Sequence, residues 1–513
     1  MKNEEKQMTA IKYAGASFSD THSWNAINWR SIESSVRRLQ MRIAKAVQEG
    51  RHNKVKSLQW LLTHSFQAKL LAAKRVTQNR GSKTAGVDGK ICRTPKQKMQ
   101  LAKSLQRHGY QSQPLRRIYI PKKNGSNEQR PLSIPTIGDR AMQALHLLAL
   151  EPIVEMAADP NSYGFRPQRC VADAIEQCFK SLSSKGGAQY ILEGDIRKCF
   201  DRISHPWLND HVQMDKMILN QWLSAGYLDE NIFNPTTMGT PQGGIASPAL
   251  ALVALSGLEK VIKSVASPRD KVHVIIYADD FIVTANTKET LEQKVKPAII
   301  TFLQERGLEL SLDKTKISRI NDGFDFLGHN IRKYQGKLLI KPSKKSIKSF
   351  LGNVRSIIRK CRAIKTIDLI NFLNLMIRGW ANHYRHVVSK KTFNYVDDCI
   401  YRALAGWVKR RHPNKNSTWW RKSYFRSQGN RNWIFSVKDP KRNNQWADVF
   451  KMIHVPISRH VKIIAEATPY DSKWIEYFEQ RKLQKRRTNL ISRKMLQLRS
   501  GQESRSKSTK QLG

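Results

Sequence analysis

The spacing of apolar residues divides the chain into a helical first part, a mixed middle and a helical second half. From Trp24 to about Arg75, apolar residues recur at three- and four-residue spacing among basic ones, which predicts helices. We expect its apolar residues in a core, namely Leu58, Trp60, Leu61, Leu62, Phe66, Leu70 and Leu71. Residues from about 96 to 335 alternate helical and strand signals, and helical stripes return after about residue 340. The order indicates an α+β region followed by a helical one.

Two apolar runs near the middle of the chain enclose a pair of acids. The segment Tyr277, Ala278, Asp279, Asp280 separates them, which predicts a β-hairpin with a four-residue turn carrying both carboxylates. Neighbouring carboxylates repel each other and resist burial, so a cation between them and a further acid would fit. Mg²⁺ takes oxygen ligands and needs only one or two carboxylates plus substrate phosphates. For an isolated Asp-Asp pair, a plain polar turn is the alternative.

Three other segments carry candidate chemistry. A β-like run ends at Asp195, and an aromatic residue, Phe200, follows five places on. Glycines on both sides of Gln242 allow the backbone to approach a ligand closely. A basic Asn-Gly turn that starts at Lys122 separates two apolar runs, the second of which starts at Arg130. This predicts a cationic hairpin suited to a triphosphate, with a solvated charged turn as the alternative.

Composition points to a polyanionic partner. The 513 residues include 90 Lys and Arg against 41 Asp and Glu, a formal charge of +49. Nucleic acid is the default partner for such an excess. No apolar run approaches the roughly 20 residues that span a bilayer, so we expect no membrane. Six scattered cysteines without a Cys-x-x-Cys pair argue against a zinc site or disulfide scaffold and favour a reducing compartment.

Taken in order, these segments resemble those of reverse transcriptases. Tyr277–Asp280 is similar to their polymerase signature, and Tyr163–Pro167, Leu312–Lys316 and Phe324–His329 fit palm segments. Arg378–Tyr384 resembles the start of the maturase region in group II intron-encoded proteins. From about residue 25 to 481 the chain resembles a bacterial-type group II intron reverse transcriptase and maturase. Because no cysteine follows Cys399 and no histidine follows His460, we expect no C-terminal HNH nuclease domain.

The resemblance implies a fold, a site and an activity. It implies two Mg²⁺ ions held by Asp195, Asp279, Asp280 and the main-chain carbonyl of Ile196. It implies nucleotide contacts at Lys122, Arg130, Phe200 and Gln242. A ring at Phe200 would clash with a 2′-hydroxyl and so select deoxynucleotides, although such a residue taken alone is more often part of a core. Lys314 and Lys316 lie where a positively charged side chain would protonate the leaving group. The expected activity is RNA-directed DNA synthesis from deoxynucleoside triphosphates, with catalysis by the three acids.

The implied architecture is an α+β right-hand polymerase followed by an all-α thumb and a small DNA-binding region. The expected segments are a flexible N-terminus at 1–20, an RNA-binding helical extension at 21–95, fingers and palm at 96–335, a helical thumb and maturase domain at 336–430, a DNA-binding region at 431–481 and a basic disordered tail at 482–513. The protein would bind its intron RNA, assist splicing and copy the intron into target DNA during retrohoming. The alternative is a splicing factor with little or no polymerase activity. We expect a cytoplasmic, nucleoid-associated bacterial ribonucleoprotein, with a homodimer left open.

Basic residues outside the site are expected to contact RNA or DNA. They are Arg37, Arg38, Arg42, Lys409, Arg410, Arg411, Arg459 and Lys462. For any one of them, a solvated surface is the alternative. Trp419, Trp420, Tyr424 and Trp433 interleave with Arg and Lys. Such rings stack on bases if they are exposed and pack in a core if they are buried, and the sequence leaves both roles open.

Overall fold

The computed structural model describes residues 24–121, 129–184, 186–428, 431–440 and 443–487. Its helices are α1 (Trp29–Gln48), α2 (His52–His64), α3 (Phe66–Thr77), α4 (Pro95–Ser104), α5 (Ile137–Ala157), α6 (Val171–Leu182), α7 (Cys199–Arg202), α8 (His205–His211), α9 (Lys216–Leu223), α10 (Ser247–Leu255), α11 (Leu258–Ser264), α12 (Lys296–Gln304), α13 (Lys344–Lys360), α14 (Thr366–Tyr384), α15 (Lys390–Arg411) and α16 (Ser417–Tyr424). Its strands are β1 (Leu115–Pro121), β2 (Gln129–Ile134), β3 (Tyr190–Asp195), β4 (Tyr227–Asp229), β5 (Ile232–Asn234), β6 (His273–Tyr277), β7 (Asp280–Ala285), β8 (Lys316–Arg319), β9 (Phe324–Phe326), β10 (His329–Tyr334), β11 (Lys337–Pro342), β12 (Phe425–Gln428), β13 (Arg431–Asp439) and β14 (Gln445–Asp448).

The chain forms two compact units. Of the described residues, the first unit contains 24–120, 129–156 and 200–251, and the second contains Pro121 and those within 157–199 and 252–487. In the first unit, the side chain of Asn28 accepts the N–H of Ser31 at 3.2 Å and caps α1. Thr94 and Gln97 cap α4 reciprocally. The helices expected from Trp24 onward are therefore present with their own end signals.

The expected core of this helical stretch is only partly correct. Leu58, Leu62 and Leu70 are buried, but Trp60 is 61% exposed, and Leu61 and Phe66 also face solvent. Helix α2 carries apolar residues around much of its circumference, and only the stripe of Val55, Leu58 and Leu62, spaced three and four residues apart, reaches the core. The mixed sheet of the first unit has the order β2-β1-β4-β5, with β1 and β4 parallel.

The second unit is built on an antiparallel sheet of order β6-β7-β3-β8. Ile191, Leu192 and Ile282 are fully buried on the paired strands β3 and β7. A second sheet, β11-β10-β9, is followed by α13, α14 and α15, and one continuous core includes Ile331 and Trp407. The second unit thus places two acid-bearing strands on a rigid, buried base.

The boundaries expected for the helical region and the tail need correction. Residues 337–342, which were expected in the helical thumb, alternate in burial and form strand β11, which pairs with β10. The helical region therefore begins at Lys344 and not at residue 336. This run of helices ends at Tyr424, and strand β12, which starts at Phe425, begins a third sheet of order β12-β13-β14. Residues 475–487 are helical, so 482–487 are not part of a disordered tail. The expected flexible segment 1–20 and the tail from 488 lie outside the described residues. Among the helices described here, none has the length and apolar composition needed to cross a bilayer.

Candidate active site

The hairpin of β6 and β7 presents the two neighbouring acids. Tyr277 pairs with Asp280, so these four residues form a tight turn whose two central residues are Ala278 and Asp279. Ala278 has φ 59°, a left-handed conformation that non-glycine residues adopt only with strain. Asp279 therefore lies at the tip of the turn, and Asp280 begins the returning strand.

The third acid lies directly across the sheet. Asp195 ends β3 and pairs with Asp280 on β7. One residue earlier, Gly194 pairs with Phe281, and a Cβ added to Gly194 would lie 2.2 Å from the Phe281 ring. The ring thus packs on a position that has to be glycine, and this fit helps fix the register of the two acid-bearing strands.

A separate segment supports the turn from behind. The Tyr163 N–H donates to the Ile276 carbonyl at 2.8 Å, and the Ile276 N–H donates to the Asn161 carbonyl at 3.0 Å. A Cβ added to Gly164 would lie 2.2 Å from the Ala278 nitrogen. The segment that sequence analysis assigned to the palm therefore contacts the backbone that carries Asp279.

The electrostatics of the three acids favour a cation. Burial, together with the charges of Asp279 and Asp195, raises the pKa of Asp280 to about 6. Lys314 opposes this shift, and its Nζ donates to Oδ2 of Asp195 at 2.9 Å. Clustered carboxylate oxygens that repel each other are suited to a hard divalent ion such as Mg²⁺.

The main-chain carbonyl oxygen of Ile196, next to Asp195, is a further candidate metal ligand. Ile196 forms a bridge with Leu310, made by the Arg197 N–H donating to the Glu309 carbonyl at 2.9 Å and the Ser311 N–H donating to the Asp195 carbonyl at 2.8 Å. Neither bond uses the carbonyl of Ile196. The donor set expected from the sequence, three carboxylates and this carbonyl, thus fits an oxygen-seeking metal.

In the first unit, the residues expected to contact a nucleotide have an unexpected neighbour. The Thr240 N–H donates to the Phe200 carbonyl at 2.6 Å, which joins α7 to the glycine-rich segment. Nε2 of Gln242 donates to the two carboxylate oxygens of Asp201 at 3.2 and 3.3 Å. Taken locally, the sequence around Asp201 predicts only a turn or the start of a helix. The hydrogen bond between Asp201 and Gln242 joins positions 41 residues apart, so the local sequence around Asp201 does not predict it.

The remaining phosphate-binding candidates are only partly described. Arg130 lies exposed near the start of β2. The Ser133 N–H of the same strand donates to the Gln242 carbonyl at 2.7 Å, so β2 is tied to the glycine-rich segment. Lys122 and the Asn-Gly turn that follows it lie outside the described residues.

A cluster of Cys170, Asp173 and His460 resembles a metal site in residue type, since its ligand atoms lie within 4.8 Å of one another. Asp173 accepts the N–H groups of Cys170 and Ile463 at 3.0 and 2.8 Å, Nε2 of His460 at 2.8 Å and the guanidinium of Arg481 at 2.9 Å. These donors already satisfy the carboxylate, and Arg481 supplies positive charge. We therefore interpret the cluster as a structural ion pair.

The pKa values of this cluster agree with that interpretation. Burial alone would raise the pKa of Asp173, but the hydrogen bonds from His460 and Cys170 outweigh it and lower the pKa to about 2. Burial alone would lower the pKa of His460, but the bonds to Asp173 and Cys170 raise it to about 9. Both partners are therefore charged at neutral pH.

The basic residues expected to contact nucleic acid are mostly exposed. Exposed side chains are those of Arg37, Arg38, Arg42, Lys409, Arg410, Arg411 and Arg459. Arg411 also donates to the Ile364 carbonyl at 2.7 Å. Lys462 differs, because it is half-buried and its Nζ donates to Oε1 of Gln177 at 2.6 Å. Burial lowers the pKa of Lys462, so this lysine has a structural contact of its own.

Comparison with known proteins defines the class. Residues 120–331 match the family model described as "Reverse transcriptase (RNA-dependent DNA polymerase)". Residues 24–105 match "N-terminal domain of reverse transcriptase", and residues 347–425 match "Group II intron, maturase-specific domain". The fold is that of a right-hand polymerase, and the protein is a reverse transcriptase with a maturase domain.

Similar proteins narrow the family. Protein YkfC of Escherichia coli K12 is 32% identical over 319 residues, covering 53% of this chain and 83% of that protein. The group II intron-encoded protein LtrA of Lactococcus lactis is 28% identical over 421 residues, covering 63% of this chain and 70% of LtrA. A telomerase structure from Candida albicans is 13% identical, covers 60% of this chain and 63% of that one, and has a TM-score of 0.37, too low to support an inference. The chain belongs to the group II intron-encoded reverse transcriptases and maturases.

Proposed function

We propose that this protein copies its group II intron RNA into DNA during retrohoming, by target-primed reverse transcription, and also assists splicing of that RNA. The proposal of polymerase activity rests on the clustering of Asp195, Asp279 and Asp280 at one end of the paired strands β3 and β7. A protein that only clamps RNA gains nothing from like charges held together against their repulsion. The alternative, a splicing factor with a retired active site, keeps the basic surfaces and has no use for these acids.

We propose the three acids as the catalytic residues and as ligands for two Mg²⁺ ions, with the Ile196 carbonyl as a further ligand. When bound, the ions would lower the pKa of the primer 3′-hydroxyl and neutralise charge on the triphosphate. The protein's own part is positioning and charge stabilisation. The register between β3 and β7 sets the spacing of Asp195 and Asp280, while the Gly164 contact holds the turn that carries Asp279.

For the incoming deoxynucleoside triphosphate we propose contacts from Lys122, Arg130, Phe200 and Gln242. The hydrogen bonds from Gln242 to Asp201 support this, because they fix the amide orientation before a ligand arrives. Arg130 is exposed and is therefore accessible to a phosphate. Because Lys314 is paired with Asp195, we propose that Lys314 screens the charges of the acids. Proton donation from Lys314 to the leaving group stays a prediction from the sequence.

The proposed partners are the intron RNA and the target DNA. Lysine and arginine exceed the acids by 49, and exposed arginines on α1 and basic residues in the last turn of α15 are available to phosphates. We propose a bacterial ribonucleoprotein in which these surfaces hold nucleic acid while the acids perform synthesis.

Primer extension on an RNA template with Mg²⁺ and four deoxynucleotides tests the proposal. Asp279→Ala should reduce cDNA by at least about 100-fold, since it removes charge from the reacting centre. Asp322→Ala, an exposed acid in a turn of the same unit, is the matched control and should behave as the wild type. Equal synthesis by Asp279→Ala would refute the assignment. No synthesis by a wild-type protein that binds RNA would favour the splicing factor.

A further inference from the structure

The side-chain amide of Gln242 is oriented by Asp201. Its Nε2 donates to Oδ1 and Oδ2 of Asp201 at 3.2 and 3.3 Å, and both residues are half-buried. The oxygen and nitrogen of a glutamine amide are nearly equal in size, but an ionised carboxylate only accepts hydrogen bonds. Asp201 can therefore bind only the NH₂ end of the amide, and the carbonyl oxygen Oε1 is directed away from the carboxylate.

The backbone holds α7 and the glycine-rich segment together without help from this side-chain contact. The Thr240 N–H donates to the Phe200 carbonyl at 2.6 Å, and the Gly239 N–H donates to the Ile203 carbonyl at 2.8 Å. Gly239 has φ 82°, and an added Cβ would lie 2.5 Å from the carbonyl carbon of Asp201. Since the main chains are already joined closely, the hydrogen bonds of the amide are not required to connect the two segments.

The main chain of Gln242 is also fixed on its other side. The Ser133 N–H on β2 donates to the Gln242 carbonyl at 2.7 Å, and a Cβ added to Gly243, whose φ is 117°, would lie 2.7 Å from the Ser133 carbonyl oxygen. A glutamine side chain on a fixed main chain still has considerable rotamer freedom. Among the described residues, none donates to Oε1 of Gln242, so Asp201 is the group that orders the amide.

This orientation decides which part of a nucleotide Gln242 can bind. Oε1 is a hydrogen-bond acceptor, so its partner has to carry an N–H or O–H group. The oxygens of an ionised triphosphate are acceptors as well and would repel Oε1. The sugar and base of a nucleoside do carry donors, so the free end of this amide fits the nucleoside part and leaves the phosphates to cations such as Arg130.

We propose that Asp201 is a positioning residue, which holds the Gln242 amide with its oxygen toward the nucleoside part of the incoming deoxynucleotide. The inference deepens the proposed function and rests on it for the contact between Gln242 and the nucleotide. An asparagine at position 201 would have almost the same volume, but its amide both donates and accepts, so it would no longer select one orientation. Asp201→Asn therefore separates orientation from packing.

Nucleotide affinity tests the role of Asp201 directly. The full chain is bound to an RNA template with a dideoxy-terminated DNA primer and Mg²⁺, and the Kd of the complementary deoxynucleoside triphosphate is measured without any chemistry. Asp201→Asn should raise this Kd about tenfold, the size expected for misdirecting one hydrogen bond to a charged group. Asp210→Asn, an exposed acid on α8 in the same unit, is the matched control and should bind as the wild type. An unchanged Kd for Asp201→Asn, with or without a lower Tm, would overturn the proposal.

A double-mutant cycle shows whether Asp201 acts through Gln242. Gln242→Ala removes the amide and should raise the Kd on its own. Adding Asp201→Asn to Gln242→Ala should then change the Kd by less than about twofold, because no amide is left to orient. A further tenfold rise in the double variant would show that Asp201 acts by another route and would overturn the proposal.

The orientation can be read without nucleotide or catalysis by NMR of the full chain labelled with ¹⁵N in the glutamine side-chain amides. Gln242→Ala identifies the two amide proton resonances of Gln242. These should shift in Asp201→Asn and stay in place in Asp210→Asn, because losing the carboxylate changes the environment of the donor protons. Resonances that do not respond to Asp201→Asn would overturn the positioning role even in a protein that synthesises cDNA. Resonances that respond in a protein that makes no cDNA would contradict the proposed function alone.

Discussion

Asp173 offers a quantitative test of how the C-terminal region is attached. Its fully buried carboxylate accepts hydrogen bonds from His460 and Arg481, whose side chains are mostly buried. One pKa unit corresponds to about 1.36 kcal/mol. Lowering Asp173 from 3.8 to about 2 therefore corresponds to about 2 kcal/mol, and raising His460 from 6.5 to about 9 corresponds to about 3 kcal/mol. The two figures describe one ion pair from its two sides and are not additive, so Asp173→Asn should cost about 2 to 3 kcal/mol.

The pH dependence follows from the signs of the two shifts. The pKa of Asp173 is depressed, so its contribution is present above about pH 4 and is lost as pH falls toward 2. The pKa of His460 is raised, so its contribution is complete below 6.5 and is lost as pH rises through 9. The attachment is strongest between about pH 4 and 6.5.

Hydrogen exchange at the Ile463 amide reports this contact locally, because that N–H donates to Asp173. At pH 6.5, Asp173→Asn should lower its protection about 30- to 150-fold. Asp398→Asn is the matched control, since its pair with Arg402 is exposed and worth less than about 1 kcal/mol. Wild-type protection at Ile463 in the Asp173→Asn protein would refute the reasoning.

Three further predictions concern the site and the nucleic acid. The apparent affinity for Mg²⁺, measured by titration, should fall about tenfold per pH unit below pH 6, because a proton then competes with the ion for Asp280. Because the pKa of Asp280 is raised, binding of the same proton stabilises the folded, metal-free protein at low pH. Mg²⁺ binding that does not depend on pH would contradict both effects. Gly164→Ala should lower Tm and reduce kcat at least about tenfold, because its Cβ would displace Ala278; Gly352→Ala, with open space around the added Cβ, is the control. RNA affinity should fall with salt by a log-log slope of about 0.9 per neutralised phosphate for duplex and about 0.7 for single strands, and a flat response would refute an electrostatic interface.

Much of the site was predictable because its signals are local. Apolar runs beside Asp279 and Asp280 indicate a hairpin, and the β-like run before Asp195 indicates a strand that ends in an acid. The resemblance to reverse transcriptases implied that Asp195 joins these two acids at one site, but the pairing of Asp195 with Asp280 is known only from the structure. Family membership confirmed the fold class and the reverse transcriptase and maturase activities. The metal-binding and nucleotide-binding roles of single residues stay predictions.

What the sequence did not reveal are contacts between distant positions. Asp173 and His460 are 287 residues apart, and nothing in either local segment indicates an ion pair. A glycine at position 194 is visible in the sequence, but the Phe281 ring packed against it is not. Periodicity also fails where apolar residues surround a helix, and Trp60 was wrongly expected in the core for that reason. The exposure and positive φ of Trp433 likewise depend on tertiary structure.

The most direct test of the whole account measures two activities on one preparation of the intron ribonucleoprotein. Wild type and Asp279→Ala would each be assayed for RNA binding with splicing and for cDNA synthesis from an annealed primer. We predict that Asp279→Ala abolishes cDNA and leaves binding and splicing within about twofold of wild type. Parallel loss of all three would contradict the separation of a polymerase centre from the RNA-binding surfaces.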